Sequence, residues 1–373
     1  MEYRHNIKNN NNLINLSECK KKIYDRSNNV FLGKGGQGTV YKIESPTCGG
    51  CVLKVYHNKT ENKQIYREIN ILDRVKKIID DNICPNFLYY YDFFKISENN
   101  NIKMNILMEY ADGDLEKWVR ENHNNAEWTS MIFQFVCGVH VIQKYLKGFH
   151  SDLKPKNIFF IKINKSENEF FEYIINTKSY YLPNTGYLFL LADYGHFQSL
   201  FFDDNDMSQD DIQSAIRENQ DFDFMRDFLK RIQVTNLLKK YNLEKLNEKF
   251  KNNLKYQTYY KKELNIINKE MKKYPKQVKD KFMNRNLLYF CLEENLINYD
   301  IEIKDNKDNK DIKDIKTSSS QEQILPDKTI KELLETVLSD KDNIDKLFEK
   351  YFMDYTNKTD NMKIIEKFNL NIL

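Results

Sequence analysis

Residues 149–160 read Phe149-His150-Ser151-Asp152-Leu153-Lys154-Pro155-Lys156-Asn157-Ile158-Phe159-Phe160, and the fold turns on this stretch. An acid, a base and an amide fall between positions 152 and 157, after a helical run carrying Ile132, Phe133, Val136, Val139 and Ile142. The apolar residues that follow have strand character. Asp152 can accept the proton of a hydroxyl nucleophile, and Lys154 can neutralise charge on a moving phosphoryl group. Asn157 can hold a metal through its amide oxygen. His150 reads as a packing histidine rather than a chemical one.

Moving downstream, Leu190-Leu191-Ala192-Asp193-Tyr194-Gly195 is an apolar strand that ends on an acid and a glycine. Hard cations such as Mg²⁺ prefer carboxylate oxygens, so Asp193 is a candidate ligand. Moving upstream, Lys54 interrupts the strand run Cys51-Val52-Leu53-Lys54-Val55. Burying an unpaired ammonium is costly, so a buried Lys54 needs an anion, and Glu68 on the following amphipathic helix is the candidate. A lone strand lysine is more often a snorkelling surface residue, so this signal is weak by itself. Further upstream stands Gly33-Lys34-Gly35-Gly36-Gln37-Gly38-Thr39-Val40, whose glycines let backbone amides approach phosphate oxygens. Dinucleotide-binding folds share those letters, but they continue into a helix; here a second strand, 39–43, follows.

In their order as well as their letters, these signals resemble the eukaryotic-type protein kinase family over roughly residues 29–230. The resemblance implies an α+β, bilobal fold, with a small β-rich N-lobe carrying one helix and a larger, mainly α-helical C-lobe. It implies a serine/threonine protein kinase that uses ATP and Mg²⁺, with Mn²⁺ as an alternative metal. Asp152 would be the catalytic base, with Lys154 and Asn157 as further catalytic residues, and Asn157 and Asp193 would be the metal ligands. Lys54, paired with Glu68, would align the phosphates beneath Gly33, Gly35, Gly36 and Gly38. Met108 would be the gatekeeper, the backbones of Glu109 and Ala111 would meet the adenine edge, and Val40, Val52 and Phe159 would sandwich the ring. Asp114 would reach the ribose. Lys154 resembles the serine/threonine-directed subgroup, whose tyrosine-directed relatives carry Ala-Ala-Arg at that point.

The departures from the family are equally specific. Ser151 stands where an arginine usually precedes the catalytic aspartate, which argues against activation by loop phosphorylation. Tyr194 replaces the commoner Phe. The interval from Asp152 to Asp193 is long, so an insertion is expected at about 164–186, with strands beside the site. Such an insertion resembles divergent kinases of large DNA viruses and the haspin-like branch; a viral protein would work in the host cytoplasm or the virion. No Ala-Pro-Glu follows Gly195, and the acidic run from Asp203 to Asp211 would suit a basic protein substrate, although charge runs are commonly solvated loops. Asp223 is assigned the family's structural brace of the catalytic loop, with Asp221 as its competitor. Two other readings keep the fold: a phosphotransferase for small molecules, like aminoglycoside and choline kinases, and a nucleotide-binding scaffold without turnover.

Composition sets the outer limits. The 373 residues suffice for a large two-lobed domain, and 58 basic against 55 acidic side chains leave no global field to attract nucleic acid. No apolar stretch is long enough to span a membrane, and the start lacks the apolar core of a secretory signal; an intracellular, soluble protein is expected. The six cysteines then read as reduced thiols, and Cys48-Gly49-Gly50-Cys51 as a turn rather than half a metal site. The expected organisation is an arm over 1–28 and a kinase domain over 29–300, with lobes at about 29–110 and 115–300. A charged, flexible linker over 301–325 and a helical tail over 326–373 would follow.

Overall fold

In the computed structural model the described residues are 29–43, 51–57, 63–98, 101–203, 205–297, 328–340 and 342–371. The expected N-terminal arm, the turn at 48–50 and the charged linker lie outside them. Alternating apolar and polar positions produce β1 (Asn29–Lys34), β2 (Gly38–Ile43), β3 (Cys51–Tyr56), β4 (Tyr90–Glu98) and β5 (Asn101–Glu109). They form one antiparallel sheet in the order β1-β2-β3-β5-β4, with Ile43, Cys51, Leu53, Ile96 and Leu107 in its core. Its register sets Val40 opposite Lys54 and Val52 opposite Met108. Helix α1 (Lys63–Asp80) buries Ile65, Ile69, Leu72 and Ile79, the stripe that a 3.6-residue period dictates, and Glu68 with them.

Beyond the sheet come β6 (Gly113–Asp114), α2 (Leu115–Trp118) and α3 (Asn125–Lys144). A reciprocal capping box between Asn124 and Glu127 starts α3, which is buried along nearly its whole length. Residues 150–157 lie between β7 (Gly148–Phe149) and β8 (Ile158–Lys162). After the hairpin of β9 (Glu169–Ile175) and β10 (Lys178–Pro183), β11 (Tyr187–Leu191) returns antiparallel to β8 and β12 (Gln198–Ser199) pairs with β7. Gly148 is required there, because a Cβ would stand 2.4 Å from the Phe197 ring and 2.5 Å from the Gln198 carbonyl. Helix α4 (Gln209–Arg217) follows, its N-terminus capped by Ser208.

The described chain forms two compact units. One holds the described residues up to 118, those of 123–225 and those from 332 on; the other holds 119–122 and the described residues of 226–331. The first unit thus takes in 123–225 of the expected C-lobe and the described tail from 332 on. The second unit is helical, with the part of α5 (Asp223–Lys240) from Arg226 on, α6 (Leu243–Lys249), α7 (Leu254–Glu270) and α8 (Lys276–Glu293). Leu237, Leu246, Tyr256, Leu287 and Leu288 make its core.

The tail supplies α9 (Lys328–Ser339), α10 (Ile344–Tyr351) and, against the expectation of helices alone, β13 (Lys363–Asn369). That strand runs parallel to β9 and makes a three-stranded sheet in the order β10-β9-β13. The insertion therefore does add strands. They pack on α3, with Tyr173 and Tyr180 at 5.2 and 6.0 Å from Phe133, and Phe348 and Phe352 of the tail at 5.6 and 5.1 Å from the same ring.

Candidate functional site

The centre of the site is Lys54. Strand alternation points it inward from β3, where its Nζ meets Glu68 Oε1 at 2.6 Å and Asp193 Oδ1 at 3.1 Å. The phenol of Tyr56, two residues along the same strand, donates to the second Glu68 oxygen at 2.7 Å. The anion that a buried lysine demands is thus present twice, once from α1 and once from the turn after β11. Burial alone would depress the Lys54 ammonium, but Glu68 and Asp193 outweigh it and hold the pKa above the ordinary lysine value. Burial alone would likewise raise the Asp193 carboxyl, and Lys54 reverses that, holding it below the usual aspartate range. Asp193 itself adopts a left-handed backbone (φ 68°), uncommon for a residue with a side chain, at the start of the turn that carries Tyr194 and Gly195.

The loop between β7 and β8 is closed by its own side chains. Lys154 Nζ donates to Asp152 Oδ2 at 2.6 Å, and the Asn157 amide nitrogen donates to the Asp152 carbonyl at 2.8 Å and to Oδ2 at 3.1 Å. With its nitrogen so engaged, Asn157 keeps Oδ1 as an acceptor. The Ala192 N–H donates to the Asn157 carbonyl at 3.0 Å, which ties the loop to the strand end bearing Asp193. Asn157 Oδ1 and the Asp193 carboxylate are hard oxygen donors, a set that suits Mg²⁺.

Asp221, not Asp223, braces this loop. Its carboxylate accepts the His150 N–H at 3.1 and 3.0 Å and the Ser151 N–H at 3.2 Å. Complete burial pushes its pKa up to about 7 despite those donors. Asp223 starts α5 two residues on, and the two are equivalent as letters; burial alone separates them. His150 is a packing residue as expected: its Nε2–H donates to the Ala192 carbonyl at 3.1 Å, its ring lies 5.2 Å from that of Tyr194, and burial lowers its pKa to about 4.

These groups open on one cavity of about 560 Å³. Its lining includes Gly33, Gly35, Gly36, Gly38, Val40, Val52, Lys54, Glu68, Met108, Glu109, Ala111, Asp152, Lys154, Asn157, Phe159 and Asp193. Asp114 is absent from it and caps α2 instead, accepting the Lys117 N–H at 2.8 Å. Glu109 is buried; its backbone N–H is taken by the Tyr89 carbonyl at 3.0 Å. The glycines divide into two kinds. A Cβ on Gly38 would stand 2.8 Å from the Val55 carbonyl, so the sheet needs that glycine, whereas a Cβ on Gly33 or Gly36 would point into open space. Sequence reasoning missed Leu32, Gln37, Leu72, Leu88 and His196 in the lining. The period of α1 could have supplied Leu72, but nothing local marks His196.

The segment after Gly195 is also fastened from α1. Gln64 donates to the Gly195 carbonyl at 2.6 Å, Arg67 pairs with Asp206 at 3.3 Å, and the Arg74 guanidinium lies 4.7 Å from the Phe201 ring. The acidic run is therefore partly committed to internal contacts, Asp206 to Arg67 and the Asp211 carboxylate to the Ser208 hydroxyl, which donates to it at 2.6 Å. The inserted strands, by contrast, contribute no residue to the cavity lining. Among the described residues no helix is long and apolar enough to cross a membrane.

Comparison with known proteins agrees with this arrangement. Residues 26–200 match the protein kinase domain family. The chain is 28% identical over 204 residues to the probable serine/threonine-protein kinase 380R of Invertebrate iridescent virus 6, a match covering 48% of this chain and 38% of that protein. The chain thus spans well under half the length of that viral relative.

Proposed function

Because residues 26–200 carry a protein kinase domain of the eukaryotic type, we propose that the chain transfers the γ-phosphoryl group of ATP to serine or threonine hydroxyls of intracellular proteins. One observation carries this reading: the Lys54–Glu68–Asp193 ion network and the Asp152–Lys154–Asn157 loop open on the same cavity. The adenine would lie between Val40 and Val52 on one side and Phe159 on the other, behind Met108, with its edge against the backbone of Glu109 and Ala111. The open space over Gly33 and Gly36 leaves room for the phosphates beside backbone amides. Lys54, fixed by Glu68, neutralises the α- and β-phosphates.

Asp152 accepts the proton of the substrate hydroxyl as its oxygen bonds to the γ-phosphorus and the bond to the β-bridging oxygen breaks, releasing ADP. Lys154, already hydrogen-bonded to Asp152, offsets charge on the transferred group. Asn157 Oδ1 and the Asp193 carboxylate would hold a Mg²⁺ ion, which would supply neutralisation of phosphate charge when bound. A basic substrate would complement the exposed Asp203 and Asp210, which stay clear of the internal contacts made by Asp206 and Asp211. The test is incubation with γ-labelled ATP, Mg²⁺ and a panel of basic and acidic proteins. Label on serine or threonine, lost in Asp152→Asn and Asp193→Ala, supports the assignment; transfer unchanged in both variants overturns it. Label on small hydroxylated compounds alone, or nucleotide binding without turnover, would move the protein to the small-molecule or scaffold reading.

A further inference from the structure

A second cavity, of about 400 Å³, lies at the far end of the β7–β12 strand pair from Asp152. Gln143 and Lys144 of α3, Lys147, Gln213 and Arg217 of α4, and Asn343 contribute its polar lining, together with Asn219, whose amide is taken up by Gln143 and by the Asp340 and Asp342 carbonyls. Among the described residues no carboxylate lines it. Lys144 is neutralised by Asp345 at 2.5 Å, but Lys147 and Arg217 have no ion pair among the described residues. Two cations with no ion pair among the described residues, and the amides of Gln213 and Asn343, around a concave space without a described carboxylate in its lining match the recognition chemistry of a phosphate group.

The position of the cavity makes it consequential. Lys147 directly precedes β7, which runs into His150, Ser151 and Asp152, and Leu200 of the cavity wall directly follows β12. The Leu200 N–H donates to the Lys147 carbonyl at 2.9 Å. The wall is therefore the joint between the catalytic loop and the segment after Gly195. Ser151 offers no cation for an anion at that joint; Lys147 and Arg217 do.

We propose that this pocket binds a phosphate group through Lys147 and Arg217, borne by a small phosphorylated anion or by a phosphorylated residue of a protein partner. The inference does not depend on the activity proposed above. The experiment titrates the full chain with inorganic phosphate and with a phosphoserine peptide, without Mg²⁺ and at ionic strength held constant with chloride. Thermal shift and calorimetry are the readouts. Saturable binding is expected in the wild type and in Lys54→Met, which disables the nucleotide cavity. In Lys147→Gln/Arg217→Gln it should weaken about tenfold for each cation removed. The swap Lys147→Arg/Arg217→Lys should retain most of the affinity, which guards against a folding defect in the first pair. A peptide preferred over phosphate assigns the site to a phosphoprotein; equal affinity assigns it to a small anion. Equal binding by wild type and the Gln pair, or binding lost in Lys54→Met yet kept in the Gln pair, overturns the proposal.

Discussion

The loop of residues 150–157 and the sheet of β9, β10 and β13 belong to the same compact unit and are built by opposite means. The loop is held by polar contacts at short range, with Lys154 and Asn157 on Asp152, and by one distant acid, Asp221. The inserted sheet is held by aromatic packing on α3 and by a strand almost two hundred residues away, the Lys363–Glu169 contact spanning 194 positions. Polar constellations fix where charges stand, and apolar layers fix whether the unit stands at all. The two should therefore fail differently.

The largest expected effect is on the loop. Asp152→Asn and Asp193→Ala should each reduce phosphoryl transfer by about 10³-fold or more while the thermal midpoint moves by a few degrees at most. Next come Phe133→Ala and Phe348→Ala, which remove fully buried rings from the aromatic layer. Each should cost about 3–5 kcal/mol of stability by denaturant unfolding, with activity per folded molecule unchanged. Activity falling in step with stability would erase the distinction between the regions.

A subtler difference is expected in pH dependence. Unfolded His150 takes a proton near pH 6.5, whereas burial delays it to about 4 in the folded chain. Its contribution to stability is complete above pH 6.5 and is lost as pH falls through 4, roughly 3 kcal/mol in all. Asp221 runs the other way. Burial lifts its carboxyl from 3.8 to about 7, so its contribution is complete below pH 3.8 and is lost as pH rises through 7. Between pH 6.5 and 4, His150→Phe should be less acid-sensitive than the wild type in unfolding titrations, and Asp221→Asn more so. Identical slopes for all three would show that neither group is buried as described. The smallest effect belongs to the exposed Lys178–Glu349 pair joining β10 to α10. Lys178→Ala should shift the thermal midpoint by about 1 °C or less, since exposed ion pairs contribute little.

How far each region was legible follows from the same contrast. Lys54, Asp152, Asn157 and Asp193 could be picked out because each stands in a short motif of restricted residue type and the motifs follow one another in a set order, and all four line the cavity. Asp114 was named by its position near the hinge, yet the free N–H of Lys117 claims its carboxylate as a helix cap. Asp221 and Asp223 could not be ranked from letters, because the distinguishing quantity is the solvent that each loses. The strand character of 363–369 was hidden for a related reason: Lys363-Ile364-Ile365-Glu366-Lys367-Phe368-Asn369 has no clean alternation, and its partner strand is remote.

By itself, the sequence determined the order of the candidate site residues, the strand character of 39–43 and 51–55, the amphipathic helix carrying Glu68, and the presence of an insertion before Asp193. Those are local properties, set by side-chain periodicity, glycine sterics and the chemistry of charge. Only the tertiary structure decided that Lys54 meets Asp193 across 139 positions and that Asp221 supports the loop of residues 150–157. It alone decided, too, that the insertion and the tail complete one sheet against α3. Each of these depends on which surfaces lose water together, and that is a property of the folded chain rather than of any segment of it.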